Sequence, residues 1–211
     1  MANIKWTANL FRRRKYWARS NCIFIHVPKA AGTSINTALY GRTLGHYSAL
    51  EIRETFPRLY ERAFKFSLVR NPWDRILSAY RFAKQGGTDS MGVYMPEQYQ
   101  RPEFDTFERF LNDWLTQQDL KSIDFIFRPQ YIFVCDMNGR MILDFLGKTE
   151  TIESDLLNVS GKIGKRIYAG KANSTNNTMD DYRFAYKSSK MIDLVYALYQ
   201  EDVDKFDYQF E

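Results

Sequence analysis

The stretch IFIHVPKAAGTSI, residues 23–35, constrains the chain more than any other. Residues 22–27 form a β-branched and aromatic run, which reads as a short buried strand that Pro28 stops. Apolar spacing resumes at Ile35, Ala38 and Leu39, with Gly41 as a stop signal, and predicts a helix. A strand that feeds through so tight a turn into a helix belongs to an α/β sheet. The turn is also suited to holding an anion. Gly32 lets the backbone approach a ligand closely, and the N–H groups at the helix start point outward with the helix dipole behind them. Ala31 keeps the turn small, Thr33 and Ser34 add hydroxyl donors, and Lys29 adds a mobile positive charge. This is not the Walker arrangement, in which Lys-[Ser/Thr] follows the second of two spaced glycines; here the lysine precedes the glycine.

A second strand-to-helix turn follows. FKFSLVR, residues 64–70, reads as another buried strand, and NPWDRILSAYRFAKQGG as the best helix of the sequence. Asn71 is a good N-cap, Pro72 sits where a missing N–H costs nothing, and Trp73, Ile76, Leu77 and Tyr80 follow core-face spacing. Arg70 stands at the strand end, where its planar fork suits a phosphate, and Ser78 lies two turns into the helix. Further along, SALEIRETFPRLY is expected to be one short helix and residues 86–104 a long loop. Asp105 and Glu108 suggest a capping box for TFERFLNDWL, and YIFVCDMNGRMILDFLG a hairpin turning at Asn138-Gly139. TIESDLLNVSGKIG reads as a helix, KANSTNNT as a polar loop and most of 181–205 as one long helix. Strands alternating with helices imply an α/β fold with a mainly parallel central sheet flanked by helices.

At 211 residues the chain is long enough for one well-buried core, so a single domain over 1–211 is expected, with residues 1–21 as a basic N-terminal extension. No apolar run approaches a membrane span and no h-region follows the basic residues, which points to a cytoplasmic protein with no integral membrane segment. Cys22 and Cys135 make no disulfide framework, and no spacing suggests a metal. Sequons occur at Asn158, Asn173 and Asn176. A net charge of +5 favours anionic partners. Arg12-Arg13-Arg14-Lys15 reads as a solvated face, and no nucleic-acid-binding signature accompanies it.

HVPKAAGTS followed by VRNPWDRILSAY resembles the carbohydrate sulfotransferases, sulfotransferase family 2, meaning the catalytic domain of the membrane-bound type and its bacterial relatives. RPQYIF, DFLGKTETIESDL with Glu150 and Asp155, and KANSTNN with LYQEDVDKFDY extend the likeness over roughly residues 22–208. Ala30-Ala31 replaces the commoner Thr-Gly of bacterial members, and Thr149 stands where an aromatic is usual. The resemblance implies a P-loop-NTPase-like sulfotransferase fold and transfer of a sulfuryl group from 3′-phosphoadenosine 5′-phosphosulfate (PAPS) to a carbohydrate hydroxyl, leaving PAP. It implies that the first turn (Lys29, Ala31, Gly32, Thr33, Ser34) holds the 5′-phosphosulfate and that Arg70 with Ser78 holds the 3′-phosphate.

In-line sulfuryl transfer needs a stabilised leaving phosphate, for which Lys29 is the natural group, and a base for the attacking hydroxyl. Of the two histidines, His46 resembles the family's catalytic histidine by position, with Glu51 and Glu54 as alternatives in the same segment; His26 is expected to pack against the loop. Tyr94 and Tyr99 are candidates for stacking on a sugar, although core packing explains aromatics more often. A kinase would need Mg²⁺ and ATP, and a non-catalytic glycan- or nucleotide-binding module would need the turn residues to have degenerated; Lys29, Arg70 and Ser78 are all present.

Overall fold

The structure, a computed structural model, describes residues 4–88, 91–168 and 181–211. In chain order the elements are α1 (Ile4–Ser20), β1 (Cys22–Ile25), α2 (Gly32–Tyr40), α3 (Ala49–Thr55), α4 (Pro57–Arg62), β2 (Phe64–Val69), α5 (Pro72–Lys84), β3 (Gly87–Thr88), β4 (Met91–Gly92), α6 (Phe107–Arg109), α7 (Tyr131–Val134), β5 (Phe145–Lys148), α8 (Ile152–Ile163), α9 (Ser189–Leu198) and α10 (Gln200–Phe206). They fall into two compact units: the described residues of Met1–Val69 with Gln130–Asn173, and those of Arg70–Pro129 with Ser174–Glu211.

The first unit carries the sheet. Its order is β1-β2-β5, parallel throughout, with Ile25 opposite Ser67 and Val69 opposite Lys148. The fold class is therefore the α/β parallel sheet expected. All four residues of β1 are buried, which is why the strand is a continuous apolar run rather than an alternating one. Ser67 Oγ donates to Ile25 O at 2.7 Å, tying β2 to the end of β1. The Tyr40 hydroxyl closes α2 onto β1, accepting from Phe24 N at 2.9 Å and donating to Cys22 O at 3.1 Å. Asp155 Oδ2 accepts from Lys148 N and the Thr151 hydroxyl, joining β5 to the start of α8. Helix α1 buries Leu10 and Trp17 within this unit.

The second unit is built on an aromatic cluster. Phe104, Phe110, Trp114 and Phe127 stack and edge against one another beside Tyr80 of α5. Arg75, fully buried in α5, donates to Ile126 O at 3.2 Å and Arg128 O at 2.8 Å, so a charged side chain supplies the bonds that a buried loop's carbonyls need. Asn71 caps α5 as expected, its side chain accepting from Trp73 N.

Several local expectations are corrected. SALEIRETFPRLY is two helices, because Pro57 starts a new one after Phe56. The cap after residue 105 is Thr106, accepting from Arg109 N, and the helix widens to a π-turn over Phe110–Trp114. The 131–147 segment is not a full hairpin. Its turn exists, with Gly139 at φ 72° and a bridge between Cys135 and Met141, but the first arm is α7 and the second runs on into β5 beside β2. The last stretch is a 3₁₀ turn at Tyr182–Ala185 and two helices, α9 and α10. Residues 86–104 hold the β3–β4 ladder and 3₁₀ turns at Pro96–Tyr99 and Pro102–Phe104. KANSTNNT lies outside the described residues, and Asn158 is exposed on α8.

Candidate functional site

In the first unit, β1 ends at Ile25 and the chain turns through residues 26–31 into α2. Two non-glycine residues in this turn are left-handed, Lys29 at φ 64° and Ala31 at φ 57°. Such a backbone costs roughly 1–2 kcal/mol per residue, because Cβ crowds the following carbonyl. Ala31 is the N-cap of α2 and, with no polar side-chain atom, makes no cap hydrogen bond, whereas Ser48 caps α3. Gly32 opens the helix because nothing larger fits. A Cβ there would lie 2.0 Å from His26 Cδ2. Lys29, Thr33 and Ser34 are half-buried around the turn.

His26 sits one residue past β1, is 4% exposed, and its Nδ1 has no hydrogen-bond partner. Burial holds its pKa well below the usual 6.5, with a smaller contribution from His46. The two rings lie 4.0 Å apart, and His46 Nδ1 is 2.9 Å from His26 O. A carbonyl only accepts, so Nδ1 carries the proton and neutral His46 keeps its lone pair on Nε2. His46 is half-buried on the loop before α3. Sequence reasoning placed His26 beside the turn and singled out His46 by its position after the first helix, but did not pair the two.

The rival base Glu51 is occupied. Its Oε2 accepts from Ser48 N at 2.7 Å in a capping box, and its Oε1 accepts from Trp6 Nε1 at 2.9 Å. The Ser-x-x-Glu spacing was legible in the sequence and already pointed to this role. Glu54 is exposed on α3. Burial pushes the Cys22 thiol up to about 12, which makes it a packing residue rather than a nucleophile.

In the second unit, Arg70 forms a two-pronged ion pair with Asp74, both bonds 2.7 Å long and both side chains about a quarter exposed. Sequence reasoning missed this clamp, although its i, i+4 spacing was visible. Asp74 and Ser78 are four residues apart in α5, so half-buried Ser78 shares the helix face of Asp74. Tyr99 is corrected as a sugar-stacking candidate: it is 2% exposed and packs on Phe104 and Trp114, and its hydroxyl donates to Asp124. Tyr94 is exposed.

Together these features define a parallel α/β protein whose first strand leads into a strained turn lined by a lysine and two hydroxyls beside an oriented histidine. The Sulfotransferase family's sequence profile matches residues 16–209, and the chain belongs to that family. No curated protein and no solved structure matches it. Membership makes the chain a transferase of the sulfotransferase kind that takes an acceptor substrate. Among the described residues, no helix is long and apolar enough to cross a membrane, and no group of three or more His, Cys, Asp or Glu side chains could hold a metal ion.

Proposed function

We propose that this chain is a PAPS-dependent O-sulfotransferase acting on a carbohydrate hydroxyl. The observation that carries the reading is the glycine-opened, left-handed turn into α2 beside a histidine whose tautomer a backbone carbonyl fixes. PAPS supplies a sulfuryl group activated by its bond to phosphate. The residues present fit such a dianionic group: a helix start, where backbone N–H groups favour anions, a glycine where the backbone must come close, two hydroxyls and Lys29. In this reading Lys29 offsets charge gathering on the leaving phosphate, and His46 Nε2 takes the acceptor's proton as its oxygen attacks in line. Ala31, Gly32, Thr33 and Ser34 bind the 5′-phosphosulfate, Arg70 and Ser78 the 3′-phosphate, and exposed Tyr94 is the remaining aromatic candidate for the acceptor. The Asp74 clamp fits this role, because it restrains a long side chain that a phosphate would otherwise have to order.

Two measurements test this reading. PAP without magnesium should raise the melting temperature, since a ligand that binds only the native state stabilises it. Transfer of labelled sulfate from PAPS to a panel of glycans should be seen with wild type and fall by about 10²–10⁴-fold in kcat for His46→Ala, with PAP affinity preserved. Absence of a PAP shift, together with magnesium-dependent ATP turnover, would replace the reading with a kinase.

A further inference from the structure

The candidate base His46 stands on the loop between α2 and α3, where no strand or helix fixes it. Its neighbours are held by a residue far away in the chain. Trp6, on α1, lies ahead of residues 16–209, the segment that matches the family profile. Its ring centre is 4.5 Å from that of Tyr47, the residue after His46. Its indole Nε1 donates to Glu51 Oε1 at 2.9 Å, while Glu51 Oε2 accepts from Ser48 N at 2.7 Å. The Tyr47 hydroxyl in turn donates to Trp6 O at 3.5 Å. One residue thus grips both positions that follow His46, the first through its ring and the second through a shared carboxylate.

Tyr47 extends the grip to the residue before His46. Its ring is buried and edges against Trp17, with centres 6.3 Å apart. Gly45 has a positive φ of 101°, and a Cβ there would lie 3.3 Å from Tyr47 Cε2, so the chain folds over this ring on its way into His46. The backbone of His46 is bracketed on both sides. From that bracket its Nδ1 reaches His26 O at 2.9 Å, and the two imidazoles lie 4.0 Å apart. A hydrogen bond weakens steeply as its geometry slips, so a small shift of the loop would release Nδ1 and let the ring change tautomer. Trp6 itself is 38% exposed, and its hydrogen bond and its ring contact both go to residues 47–51.

We propose that Trp6 is a positioning residue for the base: it holds residues 45–51 so that His46 keeps its Nδ1 proton on His26 O and its lone pair on Nε2. Trp6 acts through Tyr47 and Glu51 rather than on the reacting atoms. That Nε2 takes the proton of an acceptor hydroxyl rests on the sulfotransferase reading above. In this arrangement Glu51 is a tie between α1 and the base segment.

The test compares full-length wild type with Trp6→Phe, which keeps a ring against Tyr47 but loses the indole donor, and Trp6→Leu, which keeps apolar bulk but loses both contacts. The chain has two histidines, so spectra correlating ring protons with isotope-labelled histidine nitrogens resolve each ring and show which nitrogen is protonated. They are recorded at mildly alkaline pH, where an ordinary imidazole is neutral. Wild-type His46 should show a single Nδ1–H tautomer, Trp6→Leu a mixture, and Trp6→Phe most of the wild-type pattern. In transfer from PAPS, Trp6→Leu should lower kcat by roughly 10–100-fold, the scale on which a misplaced catalytic group acts, and Trp6→Phe should recover most of it. KM for PAPS and the PAP melting shift should stay close to wild type in both. If Trp6→Leu does not fold, Glu51→Gln takes its place in the spectra, because it keeps an acceptor for Ser48 N and sets a donor against the indole N–H. A role in stability alone would lower the melting temperature and leave the tautomer and kcat unchanged, which overturns the proposal. A loss of PAP affinity that matches the loss of kcat overturns it too, since the damage would then reach the turn itself. If the tautomer changes while wild type shows neither a PAP shift nor transfer, Trp6 still positions His46 and the sulfotransferase reading fails.

Discussion

Ala31 occupies a left-handed conformation, φ 57° and ψ 12°, at a position where the resembling bacterial enzymes more often have glycine. The alanine keeps the turn small but bears a steric cost that glycine would not. Ala31→Gly should therefore relieve ~1–2 kcal/mol of strain, offset by the ~0.4–1 kcal/mol of extra freedom glycine gives the unfolded chain. The net gain should raise the melting temperature by a few degrees, and a lower melting temperature in a thermal scan would remove strain from this residue's account. His26 supports a second prediction. Its native pKa is held well below 6.5 by burial, so between the two values the unfolded chain takes up a proton that the native state refuses. The stability from this group is complete above about pH 6.5 and is lost as pH falls below it. Urea midpoints should drop between pH 7.5 and 5.5 in wild type and drop less in His26→Phe, which keeps ring volume without a titrating nitrogen. Equal slopes in the two proteins would count against a buried neutral imidazole.

At the scale of elements, sequence reasoning succeeded wherever a strand or helix is specified by its own residues. The two parallel strands 22–25 and 64–69 and the capped helix after Asn71 could be read because burial, propensity and capping agreed. It failed where a neighbour decides. Tyr131–Val134 has strand-like composition yet folds as a helical turn, and the strand it was expected to pair with lies instead beside β2. The candidate site divides in the same way. The turn and Arg70 were visible as local patterns, whereas the His26–His46 contact joins residues twenty apart, and the contact of His26 with Gly32 depends on a ring orientation that no spacing encodes. That second contact can be measured as a coupling. Gly32→Ala should cost ~1–3 kcal/mol by driving a methyl into the His26 ring. In a His26→Ala background the same methyl has room, so the double variant should be markedly more stable than the sum of the single losses requires. Additive losses in urea denaturation would mean that the glycine is needed for another reason.

At the scale of the whole molecule, the proposed roles of Lys29 and Arg70 can be separated by ligand, because they are assigned to different groups of PAPS. PAPS differs from adenosine 5′-phosphosulfate only by its 3′-phosphate. If Arg70 and Ser78 receive that group, charge-assisted hydrogen bonds worth ~1.5–3 kcal/mol each should make wild type prefer the 3′-phosphorylated ligand by a large factor. Arg70→Ala should lose most of that preference while its weaker affinity for the other ligand stays nearly constant. Asp74→Asn keeps the guanidinium but loosens its two-pronged hold, and should retain part of the preference. Lys29→Ala should do the reverse of Arg70→Ala, slowing transfer and leaving the 3′-preference intact, because its charge acts on the phosphate that departs. Calorimetry with both ligands on wild type and the three variants distinguishes these outcomes. Full preference retained in Arg70→Ala would move the 3′-phosphate to other residues. Loss of the preference in Lys29→Ala alone would exchange the two assignments, because the turn before α2 would then be reading the 3′-phosphate rather than the group that is transferred.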